Sequence, residues 1–186
     1  MNTGDRLDVQ DAVHAGAVMR PGIAESLSVH GHYDAWCIRD GVELWRESFD
    51  NVVTTLGKNN MLDKFLKGAA YTQTIVMGLK GTGVAVAADT QASHATWSEV
   101  GLANAPTYTG NRQAVTMNAA SAGSSASPTQ AFAITSTGTV AGCFINNGGS
   151  ATKDDTTGVL FSAGDFTVAR GVANGDTINV TYTLSV

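Results

Sequence analysis

The chain has 186 residues and a formal net charge of −5, and only 15% of its residues are charged. This length suits one domain that buries about two-thirds of its unfolded surface, and an average soluble domain has a charged fraction of roughly 25%. The scattered Lys and Arg residues of an acidic chain argue against binding to nucleic acid, because phosphate recognition requires a basic surface.

Charge is distributed unevenly along the sequence. Of the 27 charged residues, 17 fall within residues 1–68, and the other 10 are spread over residues 69–186. Isolated soluble domains use charge to stay apart, so a neutral second part is typical of a subunit that packs against other protein. The composition therefore favours a component of an assembly.

Residues 1–24 form a polar, irregular leader with a chain-turning Pro21-Gly22. Two interpretations stay open: a frayed terminus, or an extended N-terminal arm that becomes ordered against a neighbouring subunit. The leader has no apolar signal-peptide core, and no run approaches 18 apolar residues, so neither a secretion signal nor a membrane span is predicted. The sequence therefore predicts a protein that stays in the cytosol unless it leaves as part of a larger particle.

The two cysteines, Cys37 and Cys143, fit no metal-binding spacing. We expect each to fill the interior of a strand as a small apolar group rather than to form a disulfide. A reducing compartment is the simpler assumption.

Residues 35–66 organise the rest of the chain. Asp40-Gly41 is a strong hairpin signal between two alternating segments, and Trp45 and Phe49 lie on one side of the returning strand. We expect that strand to be covered on both faces, with Trp45 and Phe49 on its outward face.

A short amphipathic helix is predicted after the hairpin, over residues 59–67. Asn59 or Asn60 can cap its start and Gly68 can end it. Two turns are too short to be stable alone, so its apolar stripe is expected to pack on the sheet. That stripe consists of Met61, Leu62, Phe65 and Leu66.

The remaining sequence is typical of a mainly β protein. Short apolar segments are separated by Gly, Asn and Asp turns, and residues 119–129 are a low-complexity loop. Strands are predicted at residues 27–33, 71–79, 94–100, 115–118, 131–135, 139–145, 158–162, 166–169 and 177–186. The pattern predicts one antiparallel β-sandwich domain over residues 25–186, of jelly-roll or Ig-like type, with one short helix.

The sequence contains few candidates for chemistry. His30 and His32 share one strand face but lack a third ligand, and His94 near Glu99 is too common an arrangement to indicate a general base. No nucleophile stands in the context of a base, so neither catalytic residues nor a cofactor are predicted.

Two glycine-containing segments also resemble ligand loops. Residues 78–83 (GLKGTG) lack the ending of a phosphate-binding loop and are predicted to be a turn. Residues 153–158 (KDDTTG) do not match a calcium loop, so we expect a solvated turn there and no metal.

Four segments carry a resemblance to a known family: NVVTTLGKNNMLDKFLKG, DTQASHATWSEV, GTVAGCFINN and the closing TTGVLFSAGDFTVARGVANGDTINVTYTLSV. In this order they resemble virion structural proteins of tailed bacteriophages. The resemblance covers roughly residues 45–186 and excludes residues 1–24. It implies no catalytic residues, and it places Gly57 at the end of a turn, Trp97 in the core and Gly175-Asp176 before the last strand.

The resemblance implies a non-enzymatic, β-rich capsid decoration or cement protein, located in the virion and assembled in the host cytoplasm. Its partners would be the major capsid protein and copies of itself, as a trimer or dimer, with no nucleic acid and no membrane. We expect the interface to use the leader and the hairpin, through Val13, Val18, Met19, Ile23, Trp45 and Phe49.

A tail or head-fibre component that binds a receptor or glycan is the alternative. That function requires exposed aromatic and polar groups on loops such as residues 101–112. An exposed cluster of Tyr108, Asn111 and Arg112 would support it, whereas burial of Trp36, Trp45 and Trp97 would count against it.

Overall fold

The computed structural model describes residues 28–70, 74–94 and 96–186. The predicted arm over residues 1–24, with its interface residues Val13, Val18, Met19 and Ile23, lies outside the described residues. Within the described ranges the chain forms ten strands and one helix. These elements are β1 (His30–Arg39), β2 (Val42–Val53), α1 (Thr55–Phe65), β3 (Ile75–Gly83), β4 (Trp97–Val100), β5 (Gln113–Val115), β6 (Ser124–Ala126), β7 (Gln130–Ala133), β8 (Gly138–Asn147), β9 (Val159–Val172) and β10 (Thr177–Ser185).

The strands form an antiparallel sheet in the order β4-β3-β8-β9-β2-β1-β10-β6, with β5 beside β3 and β7 beside β10. One half of the sheet contains β1, β10, β6 and β7, and the other contains β9, β8, β3, β4 and β5. Strand β2 belongs to both halves. Its first part pairs with β1, whereas residues 51–53 pair with β9. The two halves face each other across the core, as the hydrogen bond between the Tyr33 hydroxyl on β1 and the Ser162 hydroxyl on β9 shows. The predicted mainly β fold, an antiparallel sandwich with one short helix, is confirmed.

The hairpin between β1 and β2 turns as the sequence predicts. Asp40 and Gly41 have φ angles of 50° and 79°. Two successive positive φ angles define the tight turn that matches the twist of a hairpin, and Asp-Gly is among the pairs that adopt it most readily. The register of β1 against β2 shifts once, between Cys37 and Ile38.

The helix differs from its prediction in both position and orientation. It begins at Thr55, four residues before the predicted start, because the Thr54 side chain accepts a hydrogen bond from the Gly57 amide and caps it. The only buried residue of α1 is Gly57, which packs against the backbone of Phe161. The prediction that the apolar stripe packs on the sheet is therefore wrong for three of its four residues. The exposed ones are Leu62, Phe65 and Leu66.

The structure also differs from the sequence-based expectation in four other segments. Residues 78–83, predicted as a turn, lie inside β3, and the Lys80 side chain is fully buried there. Residues 158–162 and 166–169 are predicted as two strands, but residues 159–162 and 166–169 belong to the single strand β9. The low-complexity segment contains β6 at the sheet edge, and Gly57, expected to end a turn, lies in the first turn of α1.

The main core lies between the two halves of the sheet. Strand β10 contributes Ile178, Val180 and Tyr182 from one face, as its alternating pattern predicts. Cys37 and Cys143 are buried free thiols in this core, also as predicted. A smaller cluster on the other face of β8 and β9 contains Trp97, Phe144 and Leu160, together with Ala85 and Ala163.

Candidate functional site

The predicted hairpin interface does not have the expected orientation. Phe49 is 8% exposed and stacks on Tyr33, with ring centroids 5.3 Å apart. Trp45 is half-buried and meets Phe166 edge to face at 5.4 Å. The prediction that Trp45 and Phe49 lie on the outward face is wrong, because both point toward the core. Alternation places Arg46 outward, where its guanidinium lies 4.7 Å from the Trp36 ring.

The candidate chemical residues are engaged in structural contacts. His32 Nδ1 lies 2.8 Å from the Asp50 carboxylate, across the hairpin. Among the residues that the structure describes, no group of three or more His, Cys, Asp or Glu side chains could hold a metal ion. Within the same ranges, no helix is long and apolar enough to cross a membrane.

Glu99 pairs with Arg112, not with His94, and this pair holds two loops in place. Arg112 Nε donates to Glu99 Oε1 at 2.9 Å, and Arg112 also donates to the backbone carbonyls of Ser150 and Asp155 at 3.0 and 2.7 Å. Burial raises the pKa of Glu99, although Arg112 opposes the shift. The pair therefore ties residues 101–112 and 148–157 to β4.

The His94 ring packs on Trp97, with centroids 4.4 Å apart, and its Nε2 lies 2.9 Å from Gln91 Nε2. Burial, and next the charge of Arg112, lower the pKa of His94. Both effects favour the neutral imidazole, which suits a packing role in this loop.

An apolar groove opens at the end of the sandwich where β1 and β3 begin and β8 and β10 end. Its volume is about 340 Å³. Met61 and Phe65 of α1 form one wall, and side chains of both halves of the sheet form the rest. No local sequence pattern predicts this groove, because its walls come from segments far apart in the chain. The sheet and loop residues that line it are Ile75, Met117, Ile145, Asn147, Phe161, Tyr182 and Leu184.

Exposed apolar side chains lie on α1 and at its C-cap, and one of them, Phe65, also lines the groove. Phe65 is 87% exposed, Leu66 is 71% exposed and Leu62 is 50% exposed. At the groove wall, the Asn147 side-chain amide donates to Asn60 Oδ1 at 2.8 Å and links β8 to the helix. The helix is thus fixed to the sheet while its apolar face remains uncovered by the described residues.

The exposed parts of residues 102–152, here called the uncharged surface, carry no charged side chain of their own, although the neighbouring Asp154 accepts a hydrogen bond from the Ala103 amide. Across residues 102–152 the sequence contains one charged residue, Arg112, and that side chain is 2% exposed. The exposed positions of this stretch are mainly Ala, Gly, Ser, Thr and Asn. The same stretch includes the edge strands β6 and β7, which carry no charged residue. Charge is one of the devices that usually keep exposed sheet edges from pairing with other chains.

Comparisons with protein-family models, with curated proteins and with solved structures gave no match to this chain.

Proposed function

We propose that this chain is a non-enzymatic structural protein of a bacteriophage virion, which decorates the capsid and stabilises it by bridging capsid subunits. The observation that carries the proposal is the uncharged surface formed by residues 102–152, whose single charged side chain is buried. Removing small neutral side chains from water costs less free energy than removing charged ones. Depletion of charge is also the composition that distinguishes the centres of protein interfaces.

The fold supports the same proposal. Arg112 and Glu99 fix the loops next to the uncharged surface, so little conformational entropy remains to be lost when this surface binds. A rigid neutral surface suits repeated contacts in a shell. Copies of the chain and the major capsid protein are the proposed partners, and dimers or trimers match the symmetry axes of a closed shell.

A receptor-binding or glycan-binding function has less support. Tyr108 and Arg112, two of the three loop residues on which it depends, are each 2% exposed. Trp97 is 4% exposed, whereas Trp36 and Trp45 are half-buried. The half-buried Trp36, with Arg46 above it, is the remaining aromatic candidate for such a site.

Charge introduced on the uncharged surface tests the proposal. Ala131 and Thr135 are exposed, so Ala131→Lys combined with Thr135→Lys should leave the fold intact and reduce incorporation into particles several-fold. The variant is supplied to a virus that lacks the gene, and copies per purified particle are counted by quantitative mass spectrometry.

The matched control places the same two charges on β9, as Thr167→Lys with Ala169→Lys, where both positions are also exposed. This control should be incorporated like the wild type, and thermal melting should show that both variants are folded. Equal incorporation of all three proteins would contradict the assignment of this surface to the capsid contact.

A further inference from the structure

The groove and the uncovered face of α1 form one continuous apolar feature. Phe65 belongs to both, since it lines the groove and is 87% exposed. Apolar side chains that border an apolar cavity are typical of a docking site, because burying them removes area from water without breaking hydrogen bonds. A bound apolar segment would therefore stabilise this part of the protein.

The described part of the chain begins beside this groove. Val29 packs against the main core, and Gly31 pairs with Leu184, which lines the groove. The 27 residues that precede Ser28 therefore start at the margin of the groove. Ile23 lies six positions before Val29, and six extended residues span about 20 Å, so the apolar residues of the segment can reach the groove.

The composition of this preceding segment complements the groove. It contains the apolar residues Val13, Val18, Met19 and Ile23, and its four acidic and two basic side chains give it a formal charge of −2. Residues 55–67, which include α1, carry three Lys and one Asp, a formal charge of +2. Opposite charges around an apolar contact favour this pairing and its orientation.

We propose that the groove binds the N-terminal segment of the same chain, residues 1–27, through apolar side chains among Val13, Val18, Met19 and Ile23. The covalent link places this segment at a high effective concentration beside its site. Binding within one molecule is therefore favoured over binding between molecules. The proposal concerns the free protein and does not depend on the virion function.

Methyl NMR of the full-length protein tests the proposal. The five methionines include Met19 in the segment, Met61 and Met117 in the groove and Met77 in the core. With ¹³C-methyl methionine, the Met19 methyl should show contacts to Met61 or Met117 that persist on dilution. Val13→Ser, Val18→Ser and Ile23→Ser combined should remove these contacts and shift the Met61 and Met117 signals, while the Met77 signal stays in place.

The control is Gln10→Asn with His14→Gln, which changes the same segment without removing apolar groups. It should leave every methyl signal of the groove unchanged. Groove signals that are identical in the wild type and the triple variant would overturn the proposal. Contacts that disappear on dilution, and that occur between labelled and unlabelled chains, would overturn it too, because they would assign the groove to a second copy.

Discussion

Charged side chains inside this protein serve to hold loops in place. Arg112 and Glu99 are buried together, and Lys80 is buried beside Asp165. An unpaired charge in a protein interior costs several kcal/mol, so each buried cation has a carboxylate partner within reach. Residue types predict this pairing requirement, but they do not identify the partners. Glu99, which the sequence places near His94, in fact pairs with Arg112.

The Asp176 carboxylate makes the stability of the fold depend on pH. Arg39 donates two hydrogen bonds to its carboxylate, at 2.6 and 2.9 Å, and the Ala173 amide donates a third at 2.8 Å. The Arg39 bonds are the largest cause that lowers the pKa of Asp176 below its ordinary value. A carboxyl group whose pKa is lower in the folded state stabilises the fold above its unfolded pKa, and that contribution is lost as pH falls through the folded pKa.

We expect Asp176→Asn to reduce the free energy of unfolding by about 1–3 kcal/mol at neutral pH. The difference from the wild type should begin to shrink as the pH falls below about 4, the ordinary pKa of Asp, because the unfolded carboxyl group then takes up a proton. It should shrink further until the folded carboxyl group is protonated at lower pH. Urea unfolding across this pH range measures it. Asp40→Asn is the control, because Asn-Gly forms the same hairpin turn. A difference that is constant with pH would contradict the assigned role.

Helix α1 shows how one residue can determine the placement of an element. Amphipathic periodicity predicts that Met61, Leu62, Phe65 and Leu66 face the sheet, but the closest approach is made by Gly57. A glycine in the first turn lowers helix propensity, so the sequence favours a later start. The Thr54 cap and the close contact with β9 compensate for that loss, and neither follows from local pattern.

Gly57→Ala tests this account of the helix. A Cβ atom at Gly57 would lie 2.4 Å from the Phe161 carbonyl oxygen, well inside contact distance. We expect a loss of about 1–3 kcal/mol in unfolding free energy from the enforced backbone shift, although alanine is the better helix former. Chemical denaturation measures the loss. Gly171→Ala is the control, because nothing lies within 4 Å of its added Cβ. A more stable Gly57→Ala protein would contradict the packing described for α1.

The alternation of apolar and polar residues predicts the strands but not their arrangement in the sheet. The period of two places Ile178, Val180 and Tyr182 on one face of β10, and the structure buries all three. Strand β2 pairs with β1 and also with β9, which is far away in the sequence. Local sequence pattern does not predict this second pairing. The apolar groove depends on the same arrangement, so it could not be predicted from local sequence.

The uncharged surface, in contrast, could be anticipated from the distribution of charge. Its neutrality follows from the composition of residues 102–152, and the structure adds that Arg112 is turned inward. A surface of this kind is unusual for a protein that remains isolated in solution, since net and local charge keep such proteins apart. The proposed virion function accounts for it through permanent contact with a shell.

Cryo-electron microscopy of the purified virus that carries this chain tests the proposed function most directly. The proposal predicts density for the sandwich in many copies on the outside of the capsid, with residues 102–152 against capsid subunits and each copy bridging more than one of them. Density in only a few copies at the tail or its tip would contradict the capsid-bridging function and would support the alternative of a tail component that binds a receptor or glycan.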